Sequence, residues 1–244
     1  MVTFSKLGKM GGLGNQLFQI ASTIGIAKKN DMPYGFYFWG EYQKYFCNRL
    51  PTVKNVDRIT TLIHNGNFYK EFKLNPKSNY DLQGYFQSWK YFNDYRELLL
   101  RYFCIDIPSW VNLENKEYVS IHIRRGDYIN LSHIHTNLSE TDYYQKAINY
   151  FDSNQKFLIY SDDIKWCKEN FKGQNFTYVE GSETDIQELH GMSTCSSNII
   201  ANSSFSWWAA YLNLNPDKIV IAPKKYLMID DVIEDRILKE WILL

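Results

Sequence analysis

The sequence predicts an α/β protein of two lobes whose strands form parallel, doubly wound sheets. The chain opens with a short apolar strand at residues 2–7, a glycine-rich turn and a helix at residues 15–29, which is how an α/β unit begins. After residue 118, short apolar strands alternate with helical segments, and this spacing indicates parallel strands joined by crossover helices. A polar, proline-containing segment at residues 108–116 separates the two regions. The length of 244 residues is sufficient for two small lobes with a cleft.

The N-terminal region has few clear patterns after its first helix. A second strand is predicted at residues 34–38 and a second helix at residues 91–103, and the stretch between them mixes loops and short elements. The first helix carries an apolar face formed by Leu17, Phe18, Ala21, Ile24, Ile26 and Ala27.

In the C-terminal region, predicted strands and helices alternate regularly. Strands are predicted at residues 118–123, 156–160, 176–179, 198–201 and 218–222. Helices are predicted at residues 141–151, 164–171, 185–195 and 206–213. Ser161-Asp162-Asp163 is predicted to cap the second of these helices. A closing helix at residues 232–244 is predicted to pack back across the linker.

The bulk composition narrows the class of protein. Hydrophobic residues make up 45% and charged residues 22% of the chain, which is typical of a globular protein. The net charge is zero, and this argues against a nucleic-acid partner because phosphate neutralisation needs a basic face.

The cysteines and the chain start bear on the compartment. The four cysteines are far apart and include no C-x-x-C pair, so neither a zinc site nor a redox dithiol is expected. We interpret them as buried or half-buried thiols in a reducing compartment. The chain starts without a signal-peptide pattern, and no apolar run approaches the roughly 18 residues that span a bilayer. The expected location is the cytoplasm, with peripheral membrane contact and oligomeric state left open.

The segment His122-Ile123-Arg124-Arg125-Gly126-Asp127 is the strongest candidate for chemistry. It lies where a predicted parallel strand ends, and ligands of open α/β sheets bind beyond such ends. Alternation along the strand places Arg124 and Arg125 on opposite faces. Two adjacent guanidiniums need an anion, and their planar forks suit a phosphate or a carboxylate. The alternative is a structural pair of one arginine with Asp127, the second arginine being solvated.

Two further strand-to-helix turns have ligand-binding character. Asn202-Ser203-Ser204-Phe205-Ser206 combines small hydroxyls with the backbone N–H groups of a helix N-terminus, which together bind anions. Simple N-capping by Ser or Asn explains the same residues. In Gly11-Gly12-Leu13-Gly14, glycines let the backbone approach a ligand closely, although the turn fits neither the P-loop nor the dinucleotide fingerprint. A tight connection explains this turn equally well.

No metal site is predicted. Helix capping explains Ser161-Asp162-Asp163 better than metal binding does. The chain contains no D-x-D triplet, so a nucleotide diphosphate held through Mn²⁺ or Mg²⁺ is not expected. Arg124, Arg125 and the helix N-terminus after Asn202 would supply the positive charge instead.

Four segments together carry a family resemblance. They read GGLGNQLFQ at residues 11–19, GYFQS at 84–88, HIRRGDY at 122–128 and IIANSSFSWWAA at 199–210. In this order, over nearly the whole chain, they resemble the signatures of glycosyltransferase family 11, the α-1,2-fucosyltransferase family. The combination is highly specific, although each piece alone is not.

The resemblance implies a GT-B architecture and an inverting reaction. Residues 1–112 would form the acceptor-side lobe, and residues 113–244 would form the Rossmann-like lobe that binds the nucleotide sugar. A hydroxyl of an oligosaccharide or glycoconjugate would attack the anomeric carbon of GDP-β-L-fucose, giving an α-fucoside and GDP. The implied enzyme is a galactoside 2-α-L-fucosyltransferase that needs no metal or other cofactor.

The motifs and the resemblance also assign site residues. Arg124 and Arg125 would contact the diphosphate, Asp127 would orient them, and Asp127 or His122 would be the general base. Other donor-binding residues would be Asn202, Ser203, Ser204, Phe205, Gly12 and Gly14. Family members often carry Asp where this chain has Glu188, and Asp185 lies one turn earlier, so these two carboxylates are predicted to read the guanine edge. The neutral amides of Asn15 and Gln16 would bind acceptor hydroxyls.

Two rival functions remain in view. The same fold would serve a transferase for another nucleotide-linked deoxysugar, such as rhamnose. A non-catalytic glycan-binding module is compatible with the aromatic content of 17%. That second rival leaves the cluster of Arg124, Arg125 and Asp127 unexplained.

Overall fold

The computed structural model describes residues 1–40, 42–66, 68–106, 115–131, 133–182, 184–228 and 232–244. The chain forms two compact units. Unit 1 comprises Met1–Ile107 and Glu234–Ile237, and unit 2 comprises Pro108–Ile233 and Leu238–Leu244. Most of the predicted linker, residues 108–114, lies outside the described residues, as does the predicted boundary between residues 112 and 113. Each unit has its own parallel sheet, so the predicted fold class is confirmed.

Unit 1 contains a four-stranded parallel sheet in the order β2-β1-β4-β3. Its strands are β1 (Val2–Thr3), β2 (Tyr34–Gly35), β3 (Ile59–His64) and β4 (Asn79–Gly84). Its principal helices are α1 (Leu13–Lys29) and α2 (Arg96–Tyr102). The prediction of α1 is confirmed, whereas the predicted first and second strands are each shorter than expected.

The sequence did not reveal strands β3 and β4. The interior of β4 contains Asp81, a residue type that strands disfavour. Its carboxylate is buried and satisfied, since it accepts hydrogen bonds from Thr3 Oγ1 at 2.9 Å, Ser5 N at 2.7 Å and Ser5 Oγ at 2.6 Å. These bonds join the central strands β1 and β4, so the polar residue belongs to the sheet rather than to a turn.

Unit 2 contains a six-stranded parallel sheet in the order β10-β9-β8-β5-β6-β7. Its strands are β5 (Tyr118–Ile123), β6 (Lys156–Ser161), β7 (Phe176–Tyr178), β8 (Ser197–Ile199), β9 (Val220–Ala222) and β10 (Ile242–Leu243). Its helices are α3 (Gly126–Asn130), α4 (Tyr143–Ile148), α5 (Ile164–Asn170), α6 (Asp185–Ser193) and α7 (Ser204–Leu212). The five strands and four helices predicted here are confirmed with small shifts at their ends, and α3 was not predicted.

The prediction of a closing helix at residues 232–244 is wrong for most of its length. The helix α8 covers only Ile233–Arg236, and the chain then ends as β10. Strand β10 pairs with β9, and Leu244 N donates to the carbonyl oxygen of Ala222 at 3.1 Å. A short apolar run is compatible with a helix or with a buried strand. Here the run pairs with the edge of β9 and is therefore a strand.

Buried tyrosines of α4 position the ends of the central strands of unit 2. The hydroxyl of Tyr143 lies 2.7 Å from the carbonyl oxygen of Ile200 and 3.0 Å from that of Ile221. The hydroxyl of Tyr144 donates to the carbonyl oxygen of His122 at 3.1 Å. These bonds fix the backbone where β5, β8 and β9 end.

Candidate active site

The candidate site lies where the strand order of unit 2 reverses. From β5 the chain adds β6 and β7 on one side and then β8, β9 and β10 on the other, so the reversal falls between β5 and β8. Ligands of open α/β sheets bind beyond the carboxyl ends of strands at such a point. The rings of His122, near the end of β5, and Phe205, beyond the end of β8, lie 5.6 Å apart. The fold therefore brings together the two motifs of unit 2 that the sequence analysis selected.

Arg124 is held by carboxylates but remains accessible. Its Nε donates to Asp127 Oδ1 at 2.9 Å, and its Nη1 lies 3.0 Å from Asp162 Oδ2. The Arg124 side chain is nevertheless 36% exposed. A Cβ at Gly126 would lie 2.7 Å from Asp162 Oδ2, so glycine at this position leaves room for the carboxylate that holds Arg124. The arrangement presents an oriented cation at the switch point.

Arg125 is engaged by the protein on its edge and on its face. Its Nε pairs with Asp163 Oδ2 at 3.1 Å, and its Nη1 donates to Ser139 Oγ at 2.5 Å. Its guanidinium carbon lies 4.0 Å from the ring centroid of Trp166, and its side chain is only 14% exposed. These contacts give Arg125 a structural role, and its predicted contact with a diphosphate stays a prediction.

His122 is buried and uncharged. Burial and the neighbouring Arg124 guanidinium lower the pKa of His122 to about 3. Its Nδ1 is buried and has no hydrogen-bond partner among the described residues. A base of such low pKa has little driving force for taking a proton from a sugar hydroxyl at neutral pH.

The turn between β8 and α7 is organised by its own side chains. Ser203 caps α7, since its Oγ accepts a hydrogen bond from Phe205 N at 3.3 Å. Asn202 Nδ2 donates to the carbonyl oxygens of Thr136 and Tyr226, each at 2.9 Å. Asn202 thus ties three segments together, whereas Ser204 and Phe205 are half-buried at the helix start. The capping alternative is confirmed for Ser203.

The carboxylates of α6 lie in the same electrostatic environment as Asp162, the partner of Arg124. Asp185 begins α6 and Glu188 lies one turn later. Burial raises the pKa of Glu188; a hydrogen bond from Ser182 opposes this effect, and the charges of Asp185 and Asp162 add to it. Because Asp162 is also the partner of Arg124, the predicted base-reading residues and the predicted phosphate-binding residue belong to one constellation.

The predicted residues of the glycine turn lie in unit 1. Gly12 is the N-cap of α1, and Gly14 is buried within that helix. Gln16 is buried, with Nε2 donating to the carbonyl oxygen of Gly11 at 3.0 Å and Oε1 accepting from Trp39 Nε1 at 2.8 Å. These residues therefore belong to unit 1, and the Gln16 amide stabilises the turn itself.

Two residues of unit 1 that the sequence analysis missed form a chain of hydrogen bonds that ends at Asn15. Gln87 Nε2 donates to Asn15 Oδ1 at 2.5 Å, and Arg236 Nη1 donates to Gln87 Oε1. Gln87 lies in the GYFQS segment, which was a signal for it, whereas Arg236 is buried and far away in sequence. Through Gln87, Arg236 of the short helix α8 is thus linked to the first turn of α1.

Asp162 was also missed as a site residue. Of the two carboxylates after Ser161, Asp163 caps α5 by accepting from Trp166 N at 3.0 Å, as predicted. Asp162 instead accepts from the backbone N–H of Arg125 at 2.9 Å and pairs with Arg124. A capping motif with two acidic residues was the available signal, because a cap requires only one of them.

Two absences concern the described part of the chain. In the described ranges, no three His, Cys, Asp or Glu side chains are grouped as a metal ion would require. No helix within those ranges is both long and apolar enough to cross a membrane.

Comparison with known proteins identifies the family. The sequence profile described as Glycosyl transferase family 11 matches residues 52–244, which is well over half of the chain. The chain belongs to glycosyl transferase family 11. The resemblance predicted from the motifs is thereby confirmed, although the glycine turn at residues 11–19 precedes the matched region.

Members of family 11 from bacteria and mammals are similar to this chain. The O-antigen biosynthesis glycosyltransferase WbnK of Escherichia coli is 38% identical in an alignment 178 positions long, which covers 65% of this chain and 59% of that protein. The alpha-1,2-colitosyltransferase of Escherichia coli is 34% identical over 64% of this chain and 59% of that protein. The galactoside 2-alpha-L-fucosyltransferase SEC1 of Bos taurus is 24% identical over 83% of this chain and 62% of that protein. The matched regions thus span about three fifths of the length of these relatives.

Solved structures support the fold assigned to this family 11 chain. The fucosyltransferase NodZ from Bradyrhizobium superposes with a TM-score of 0.56 at 11% identity, covering 85% of this chain and 91% of that chain. NodZ alpha-1,6-fucosyltransferase co-crystallised with GDP superposes with a TM-score of 0.58 at 11% identity, covering 85% of this chain and 90% of that chain. At this identity the likeness concerns the fold alone.

Proposed function

We propose that this protein is an inverting fucosyltransferase that transfers L-fucose from GDP-β-L-fucose to a galactose hydroxyl of a glycan in an α-1,2 linkage. The observation that carries the proposal is Arg124, an accessible guanidinium oriented by Asp127 and Asp162 at the switch point of a parallel sheet. Membership of family 11 and the fucosyl-transferring relatives support the choice of reaction.

The proposed chemistry rests on stabilising the departing diphosphate. Cleavage of the bond between the sugar and the diphosphate develops negative charge on GDP and an oxocarbenium-like fucosyl group. A cation aimed at that diphosphate stabilises the transition state more than the ground state. Arg124 supplies this charge, and the N-terminus of the nine-residue helix α7 adds its backbone N–H groups. With these two sources of positive charge, we propose a donor site that operates without a metal ion.

The acceptor hydroxyl receives little help from a strong base in this proposal. His122 is unsuitable because its pKa is lowered to about 3. Asp127 is exposed and ion-paired with Arg124, and such pairing weakens a carboxylate as a base. We infer a dissociative reaction in which leaving-group stabilisation dominates and Asp127 accepts the proton late.

The guanine base is proposed to contact the acidic residues of α6. Guanine presents N–H donors on its Watson–Crick edge, and ionised carboxylates are their natural acceptors. Asp185 and Glu188 lie on one face of α6, since they are three residues apart. Glu188 is partly buried and its pKa is raised even though Ser182 donates to it, and a carboxylate perturbed in this way is a candidate binding residue.

Replacing Glu188 with glutamine is expected to weaken GDP binding roughly tenfold or more. In the wild type, GDP affinity should fall as pH falls through the raised pKa of Glu188, because protonation removes the negative charge and converts one accepting oxygen into a donor. Glutamine should abolish this component of the pH dependence. Calorimetric titration of GDP at several pH values measures both effects.

Thermal stability provides the control for Glu188. A carboxyl group whose pKa is raised on folding makes the folded state less stable as the pH rises. The loss of stability begins near the ordinary pKa and is complete above the raised pKa. At neutral pH the glutamine variant should therefore melt at the same temperature as the wild type or higher. An unchanged GDP affinity in the folded variant would exclude Glu188 from base recognition.

The donor proposal is tested directly by titration of nucleotides. GDP, GDP-fucose and dTDP are titrated separately into the full chain in the presence of EDTA. Binding of both guanine nucleotides but not of dTDP is the expected result. Binding that appears only after Mg²⁺ or Mn²⁺ is restored would overturn the metal-free site. No guanine nucleotide binding under either condition would overturn the donor, and it is also the result expected of a glycan-binding module.

A second candidate donor is a different GDP-linked deoxysugar. The colitosyl-transferring relative, at 34% identity, favours this alternative because colitose, like fucose, lacks the 6-hydroxyl group. Comparison of kcat/KM for GDP-fucose and GDP-colitose with a galactoside acceptor separates the two. A preference for GDP-colitose would correct the sugar while leaving the proposed diphosphate and guanine contacts in place.

A further inference from the structure

Two cysteines of unit 1 lie side by side at its surface. Cys47 and Cys104 are 57 positions apart in sequence, yet their Sγ atoms are only 2.8 Å apart. Both residues are exposed, whereas Cys167 and Cys195 are buried. The expectation of four buried or half-buried thiols is therefore wrong for this pair.

The backbone around the pair holds the two cysteines opposite each other. Phe46 and Ile105 form an antiparallel bridge. Cys47 N donates to the carbonyl oxygen of Cys104 at 2.8 Å, and Asp106 N donates to that of Tyr45 at 2.8 Å. Residues directly opposite each other in an antiparallel pair have Cα atoms about 4.5–5.5 Å apart. This separation lies within the range of roughly 4.4–6.8 Å that disulfides require.

We propose that Cys47 and Cys104 are a reversible oxidation site that forms an intramolecular disulfide by exchange with a low-molecular-weight disulfide such as glutathione disulfide. The thiolate of one cysteine attacks glutathione disulfide and releases one glutathione thiolate, which leaves a mixed disulfide on the protein. The thiolate of the other cysteine then attacks the protein sulfur of that mixed disulfide and releases the second glutathione thiolate. The two cysteines lose two electrons and two protons, and two glutathione molecules gain them.

Oxidation would join the end of α2 to the segment that supports the first turn of α1. The rings of Phe46 and Trp39 stack at 5.0 Å, and the rings of Phe46 and Phe103 lie 6.1 Å apart. Trp39 in turn donates to Gln16 at 2.8 Å. The disulfide therefore constrains an aromatic cluster that reaches the first turn of α1. Because it would close a long loop, the oxidised protein should melt about 5–10 °C higher than the reduced protein.

The test is oxidation of the native full chain followed by peptide mapping. The protein is equilibrated with mixtures of reduced and oxidised glutathione, the remaining thiols are alkylated, and peptides are mapped without reduction. We expect a peptide pair linked through Cys47 and Cys104, while Cys167 and Cys195 remain thiols and serve as internal controls. Reduction should regenerate both thiols and lower the melting temperature again.

Single serine variants distinguish the intramolecular bond from other oxidation. In Cys47→Ser or Cys104→Ser, the remaining exposed cysteine should accumulate as a mixed disulfide with glutathione. The oxidised variants should not show the rise in melting temperature. Independent glutathionylation of both cysteines in the wild type, or a disulfide-linked dimer on a non-reducing gel, would overturn the proposal. Persistence of both thiols in excess glutathione disulfide would overturn it too, and none of these outcomes depends on the proposed transferase activity.

Discussion

Replacing Arg124 with alanine is expected to abolish measurable GDP binding and to lower kcat/KM for transfer by roughly 10²–10³-fold or more. The guanidinium is the accessible cation at the switch point, and its loss removes a charge-assisted contact to the departing diphosphate. The cost to stability should be modest, since the pair with Asp127 is exposed and Asp162 keeps its hydrogen bond from the backbone N–H of Arg125 after Arg124 is removed. Calorimetry, steady-state kinetics and thermal melting measure the three quantities.

Arg125→Ala is the matched control for Arg124. The Arg125 side chain is 14% exposed and contacts Asp163, Ser139 and Trp166. Its removal should cost roughly 1–3 kcal/mol of folding free energy, because it removes the hydrogen bond to Ser139 and the cation–π contact with Trp166. The opposite pattern, with GDP binding lost in a stable Arg125→Ala protein and retained in Arg124→Ala, would assign the diphosphate to Arg125. Arg124→Lys should recover part of the affinity, since lysine keeps the charge but not the fork.

The contrast between the arginines shows what the sequence could and could not predict at the site. The pattern HIRRGDY predicts two adjacent cations at the end of a strand, and alternation predicts that they face opposite ways. Which one stays accessible depends on Ser139, Asp163 and Trp166, whose proximity is set by the tertiary fold. The low pKa of His122 likewise follows from complete burial, which a sequence motif does not reveal.

The strands of the two sheets also differ in how well the sequence predicts them. Strand β5 was predicted with its observed bounds, residues 118–123, because its β-branched and aromatic residues favour a strand even with Ser120 and His122 between them. Strand β4 in unit 1 was missed because Asp81 interrupts the pattern, and only its bonds to Thr3 and Ser5 make that carboxylate acceptable in a sheet. Cys47 and Cys104 show the limit of spacing rules, since their contact joins positions 57 residues apart.

Replacing Gly84 with alanine is expected to destabilise unit 1 by roughly 3–5 kcal/mol or more and to lower the melting temperature by about 10 °C or more. Gly84 ends β4 with φ +146°, a conformation that L residues rarely adopt. A Cβ at this position would also lie 2.1 Å from the backbone carbonyl oxygen of His64 on the neighbouring strand β3. Since the obstacle is backbone, relief requires β3 and β4 to separate where His64 pairs with Gly84.

Gly173→Ala isolates the conformational part of that effect. Gly173 has a similar φ of +136°, but a Cβ there would meet no atom within 4 Å. Its replacement should cost only the strain of the backbone conformation, about 1–3 kcal/mol, and denaturant unfolding of both variants gives the difference. Equal losses of stability in the two variants would mean that β3 moves away from the new methyl group without a cost in free energy. A clearly larger loss for Gly84 would show that the glycine of the GYFQS segment is required for the close approach of two strands, which is a packing reason for that part of the family 11 signature.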